Sequence, residues 1–135
     1  MNAMVPWIYA AGAVHVGIVL GNIPLPRRLD LRANLEKLSP ILRQVFLIHW
    51  LFILILVALF AALCFGFGPE LAGASPLGRF LSGAIGAFWL LRLFLQLFYY
   101  DAELRRQNRL LDTAYLLAVA FLAGVFGLSA LGVMR

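Results

Sequence analysis

The chain has little charge. Of its 135 residues only 13% are Asp, Glu, Lys or Arg, against about 25% in an average soluble domain. Six acidic and eleven basic side chains cannot cover a folded chain of this size in water, which excludes an ordinary soluble enzyme and a disordered tail. There is one cysteine, Cys64, set inside an apolar run. That excludes a disulfide framework and a zinc site built from cysteines. The sequence has no glycine-rich phosphate loop, and no serine or cysteine nucleophile with a base beside it. The formal net charge of +5 comes from cations confined to short segments, too sparse for a nucleic-acid surface.

Apolar residues are what it has: 64% of the chain, with a mean hydropathy of +0.95. Crossing a hydrocarbon core of about 30 Å takes about 20 such residues in a helix. Four stretches qualify, approximately 4–23, 45–67, 80–100 and 110–133. The first stops at Pro24 and Pro26. Ser39-Pro40 and Ser75-Pro76 each place an N-cap hydroxyl before a proline at the first helical position, so helices are expected to open there. Gly66, Gly68 and Pro69 predict the end of the second helix. Strict alternation is absent, and an open strand edge does not survive in lipid, so the spans are helical. No cation precedes the first stretch and no small-x-small site follows it, so it reads as a retained span and not a cleaved signal. The expected fold is all-α: an integral membrane four-helix bundle forming a single transmembrane domain over residues 1–135.

Cations set the expected orientation. Residues 24–44 hold Arg27, Arg28, Arg32, Lys37 and Arg43, and residues 101–109 hold Arg105, Arg106 and Arg109. The opposite side has Arg79 and Arg135. This bias puts both polar segments in the cytoplasm and both termini on the other side. In the first segment Asp30 is expected to cap a short amphipathic helix with Leu31, Leu35 and Leu38 on one face. Such a helix either lies in the headgroup layer, its cations near anionic lipid, or packs on the bundle's cytoplasmic end. The second segment reads as a solvated charged turn, with Glu103 at helical spacing from Arg106. Small-residue ridges (Ala13, Gly17 and Gly21; Ser82 and Gly86; Ala120 and Gly124) permit close helix packing.

An ionisable residue inside a span is by default a functional candidate. Here these are His15, His49 and Arg92, with Gln96 as a polar companion. At about 1.5 Å per residue, His15 and Arg92 lie roughly 13 Å from the cytoplasmic end of their spans and His49 roughly 6–8 Å, with Gln96 one turn nearer the cytoplasm than Arg92. The four are therefore expected to gather in one half of the membrane. Gly12, one turn from His15, is expected to leave room beside the ring.

Three readings of this cluster stay open. His15 and His49 are candidate axial ligands of a b-type haem whose propionate Arg92 would pair, although their depths differ by about 5–7 Å and helix tilt removes only part of that gap. Alternatively His15, His49, Arg92 and Gln96 bind a quinone or a lipid headgroup, with Trp50, Phe88 and Trp89 as flat walls. In the third reading they are structural: His49 reaches interfacial water, Arg92 pairs with Asp101 or snorkels, and His15 is a neutral ring bonded to a carbonyl across the bundle. Zinc is disfavoured, since no carboxylate or thiolate lies at the right depth. The embedded carboxylate that small proton-coupled exporters use has no counterpart, which argues against export. The expected function is that of a small inner-membrane protein of bacterial type, an accessory, anchoring or assembly subunit beside another membrane protein. A redox or quinone-binding subunit is the alternative. No catalytic group is expected.

Overall fold

A computed structural model describes residues 3–28, 30–98 and 109–132, and every regular element among them is helical. In chain order these are α1 (Val5–Gly21), α2 (Leu25–Arg28), α3 (Leu31–Glu36), α4 (Pro40–Gly66), α5 (Gly68–Ala72), α6 (Pro76–Phe98) and α7 (Arg109–Leu131). Three of them, α4, α6 and α7, are long and apolar enough to cross a membrane. That is the signature of a multi-pass membrane protein. α1 is apolar but has 17 residues, about 26 Å of helix. It is shorter than the stretch 4–23 anticipated because Asn22 ends it ahead of Pro24. The Asn22 side chain donates to the Ile18 carbonyl at 2.7 Å, and its own carbonyl accepts the Trp50 indole N–H at 3.3 Å.

Both Ser-Pro starts are present. Ser39 Oγ accepts from the Leu42 N–H at 3.4 Å, and Ser75 Oγ from the Gly78 N–H at 3.0 Å, each satisfying a donor that the first helical turn leaves free. Asp30 is a correction. It sits at the N-cap of α3, but its backbone is left-handed (φ 51°) and its side chain caps nothing. α3 keeps Leu35 buried and Leu31 half-buried, while Leu38 lies beyond its end and is exposed. Most of the charged turn expected at 101–109 lies outside the described residues, as does the Asp101 partner proposed for Arg92.

The helices pack as two antiparallel pairs. In the first, Asn22 meets Trp50 at one end of the α1–α4 pair, and at the other Gly12 faces Cys64 and Phe65. A Cβ on Gly12 would stand 2.9 Å from both Cys64 Cβ and the Phe65 ring, so the space expected beside His15 is already filled by α4. In the second pair, α6 runs against α7 from Gln96–Asp112 to Arg79–Ala130, and Gly86 lets the backbone at Phe126 and Gly127 approach. α1 joins the pairs by packing on α7. The small-residue ridges divide accordingly: Ser82 and Gly86 are buried in the α6–α7 seam, whereas Ala13, Gly17 and Gly21 are exposed.

Nothing in the sequence marks α5. Gly68 and Pro69 do end α4, but the chain then makes five helical residues that close one end of the bundle against α1, α6 and α7. Leu71 and Ala72 are buried there. So short a helix leaves its last carbonyls short of intrahelical partners. The Leu71 carbonyl is met instead by two buried hydroxyls, Ser82 of α6 at 2.6 Å and Ser129 of α7 at 2.8 Å. Ser82→Ala and Ser129→Ala are each expected to lower stability by about 1 kcal/mol. The double variant should lose more than their sum, since only then is the buried carbonyl left with neither hydroxyl. Thermal unfolding of the three variants in detergent checks this.

Candidate functional site

His15 lies on the buried side of α1 with no exposed surface. Around it stand Phe60 and Cys64 of α4, Trp89 of α6 and Phe126 of α7, with ring centroids 5.5–5.9 Å from the imidazole. An indole N–H can only donate, so the 3.0 Å contact from Trp89 Nε1 makes His15 Nε2 the acceptor. The proton is then on Nδ1, which donates to the Ala11 carbonyl one turn back at 2.8 Å. Cys64 Sγ stands 4.0 Å from the same nitrogen. Both ring nitrogens are engaged, and the arrangement is that of a neutral imidazole holding α1 to α6.

His49 is elsewhere. It sits on the exposed side of α4, its Nδ1 donating to the Val45 carbonyl at 2.8 Å. Phe60 and Cys64, which mark the level of His15, stand about 16 and 22 Å further along the same helix. The expected meeting of the two histidines does not occur. A haem held between them does not fit, both on distance and because Trp89 occupies His15 Nε2. The depths counted from the ends of the apolar stretches missed this because the register of α1 against α4 is set by the Gly12–Cys64 contact, not by where each stretch begins.

Arg92 and Gln96 do share a face of α6, the one turned to α7. Gln96 Nε2 donates to Asp112 Oδ1 at 2.6 Å, and the Arg92 guanidinium lies 5.1 Å from the Tyr115 ring centroid, within cation–π range. Arg92 is one turn along from Trp89. The polar side chains of the interior thus form a ladder down α6 rather than a single pocket: Trp89 to His15, Arg92 to Tyr115, Gln96 to Asp112. The quinone reading asked His15, His49, Arg92 and Gln96 to meet one ligand, but His15 and Gln96 each use an N–H within the bundle and His49 stands apart.

Trp89 and Asp112 carry weight that sequence reasoning had not given them. Trp89 is a hydrogen-bond donor as well as the apolar wall the sequence suggests, and Asp112 accepts from Gln96 across the α6–α7 seam. The available signal was spacing: an indole on α6 one turn from Arg92, and a carboxylate in the first turn of α7. Among the described residues no three histidine, cysteine or carboxylate groups come together to hold a metal. An apolar groove of ≈ 270 Å³ opens between α1 and α7, lined by Met4, Trp7, Phe121, Gly124 and Leu128 among others. The chain matches no protein-family model, no curated protein and no solved structure.

Proposed function

We propose that the chain is a small inner-membrane protein of bacterial type that crosses the bilayer four times and serves as an accessory, anchoring or assembly subunit beside a larger membrane protein. Residues 24–44 and 101–109 face the cytoplasm in this reading, supported by their eight cations against Arg79 and Arg135 outside. α1 is the fourth crossing, at the short end of the range that spans a membrane.

The observation that carries the role is His49. α4 is the most apolar helix, with a mean hydropathy of 2.8 over its best stretch, yet 11% of that stretch is buried in the chain against 28% for α7. Its outward side presents Val45, Phe46, Phe52 and Ile53, and among them an imidazole. Ionisable groups in spans almost always face a bundle interior. With Nδ1 spent on Val45, His49 Nε2 is a polar atom that no described residue meets. It lies about 9 Å past Arg43 along α4, where an unmet polar atom is costly. A polar side chain on a neighbouring protein's helix satisfies it.

A photocrosslinker at Phe52, 63% exposed, tests this in the native membrane. A discrete adduct with one other membrane protein is expected. His49→Leu should lower its yield about threefold to thirtyfold, the worth of an interhelical hydrogen bond of about 0.6–2 kcal/mol. Because His49 bonds only its own helix among the described residues, the purified chain should unfold at an unchanged temperature. Adducts with lipid alone, or a yield indifferent to His49→Leu, would sink the proposal.

A further inference from the structure

The contact between Asn22 and Trp50 fixes the end of α1 and the first turns of α4 at the same end of their pair. The chain between them, with α2 and α3, lies at that end. It carries five cations, counting Arg43 in α4, against the carboxylates of Asp30 and Glu36. Glu36 is engaged by Arg32 at 3.7 Å. Arg27, Lys37 and Arg43 have no carboxylate within salt-bridge distance among the described residues. Arg43 is half-buried, and its Nε is covered and donates no hydrogen bond among the described residues. A charged side chain packed in place without a counter-ion calls for one from outside the chain.

The surroundings say which kind. Ile23 is 70% exposed, Ile41 64% and Leu42 54%, and Leu38 joins them. Cations set among exposed aliphatic side chains match a molecule with an anionic head and hydrocarbon tails. An acidic protein surface would meet the charge and leave these side chains in water. We propose that this end of the α1–α4 pair binds anionic phospholipid, with Arg43 as the anchor and Arg27 and Lys37 flanking it. The inference rests on α4 lying in a bilayer and is independent of any partner at His49. Each cation near an anionic surface is worth about fivefold in lipid partitioning at the headgroup layer.

The test uses the full chain reconstituted in vesicles of equal parts dioleoylphosphatidylglycerol and dioleoylphosphatidylcholine, then released for native mass spectrometry. Wild type is expected to retain the phosphatidylglycerol at least about fivefold over the phosphatidylcholine. The triple variant R27Q/K37Q/R43Q should retain the two equally, and the charge-preserving R27K/R43K should keep most of the preference, which separates lost charge from lost folding. Equal retention by wild type, or a preference that survives in the triple variant, overturns the proposal. So does inorganic phosphate raising the unfolding temperature in micelles as much as phosphatidylglycerol does, since the surface would then take a small anion and not a lipid.

Discussion

Leucine at position 15 is expected to destabilise the bundle by about 1–3 kcal/mol, although it puts a hydrocarbon where a histidine stood in an apolar interior. The cost falls on Trp89. Its indole N–H, 2% exposed as a residue, loses its one acceptor among the described residues, His15 Nε2. Trp89→Phe reverses the injury. It leaves the Nε2 lone pair unmet and opens part of the volume between α1, α6 and α7, for about 2–4 kcal/mol. The double variant H15L/W89F removes both polar partners and should fall short of the sum of the singles by about 1 kcal/mol or more. Unfolding in detergent at neutral pH, followed by circular dichroism, gives all four corners of the cycle. Strict additivity would mean that the imidazole and the indole do not bond. The cycle also discriminates function from structure: a ring fixed at both nitrogens inside the fold is a fastener, and its loss should register as stability before it registers as any activity.

Why sequence reasoning reached some of this and not the rest is a matter of range. The starts of α4 and α6 were legible because Ser39-Pro40 and Ser75-Pro76 act within one turn, where cap geometry is local. The end of α4 at Gly66 was legible for the same reason. Asp30 departs from the expected cap because an N-cap residue type does not fix its own φ, and here the backbone is left-handed. α5 has five residues, too few for periodicity to mark, and what holds it is tertiary: Leu71 under the bundle and hydroxyls from two distant helices on its carbonyl. The interior site divides in the same way. That His15, Arg92 and Gln96 would avoid lipid followed from the cost of polar groups there. That His15 would take Trp89, and that His49 would stand apart facing outward, depends on the rotation and register of whole helices, which Gly12 against Cys64 decides.

That dependence makes one glycine the most sensitive position in the end-cap. Gly78 stands in the first turn of α6, its N–H on Ser75 Oγ, directly beneath α5. A Cβ there would run into the Glu70 carbonyl oxygen and stand 3.0 Å from Ser75 Oγ. The obstacle is backbone, so no rotamer relieves it. Only withdrawal of α5 does, and that strips Ser82 and Ser129 from the Leu71 carbonyl at the same time. Gly78→Ala is therefore expected to cost about 3 kcal/mol or more, at the upper end of what overpacking does. Gly83, five residues on in the same helix, is the control. A Cβ there meets only Ala130 Cβ at 3.7 Å, ordinary contact. With alanine the better helix former by about 0.8–1 kcal/mol, Gly83→Ala should unfold at or above the wild-type temperature. If Gly78→Ala unfolds no lower than Gly83→Ala, α5 does not rest on α6 as described, and the two serine hydroxyls must be satisfied in some other way.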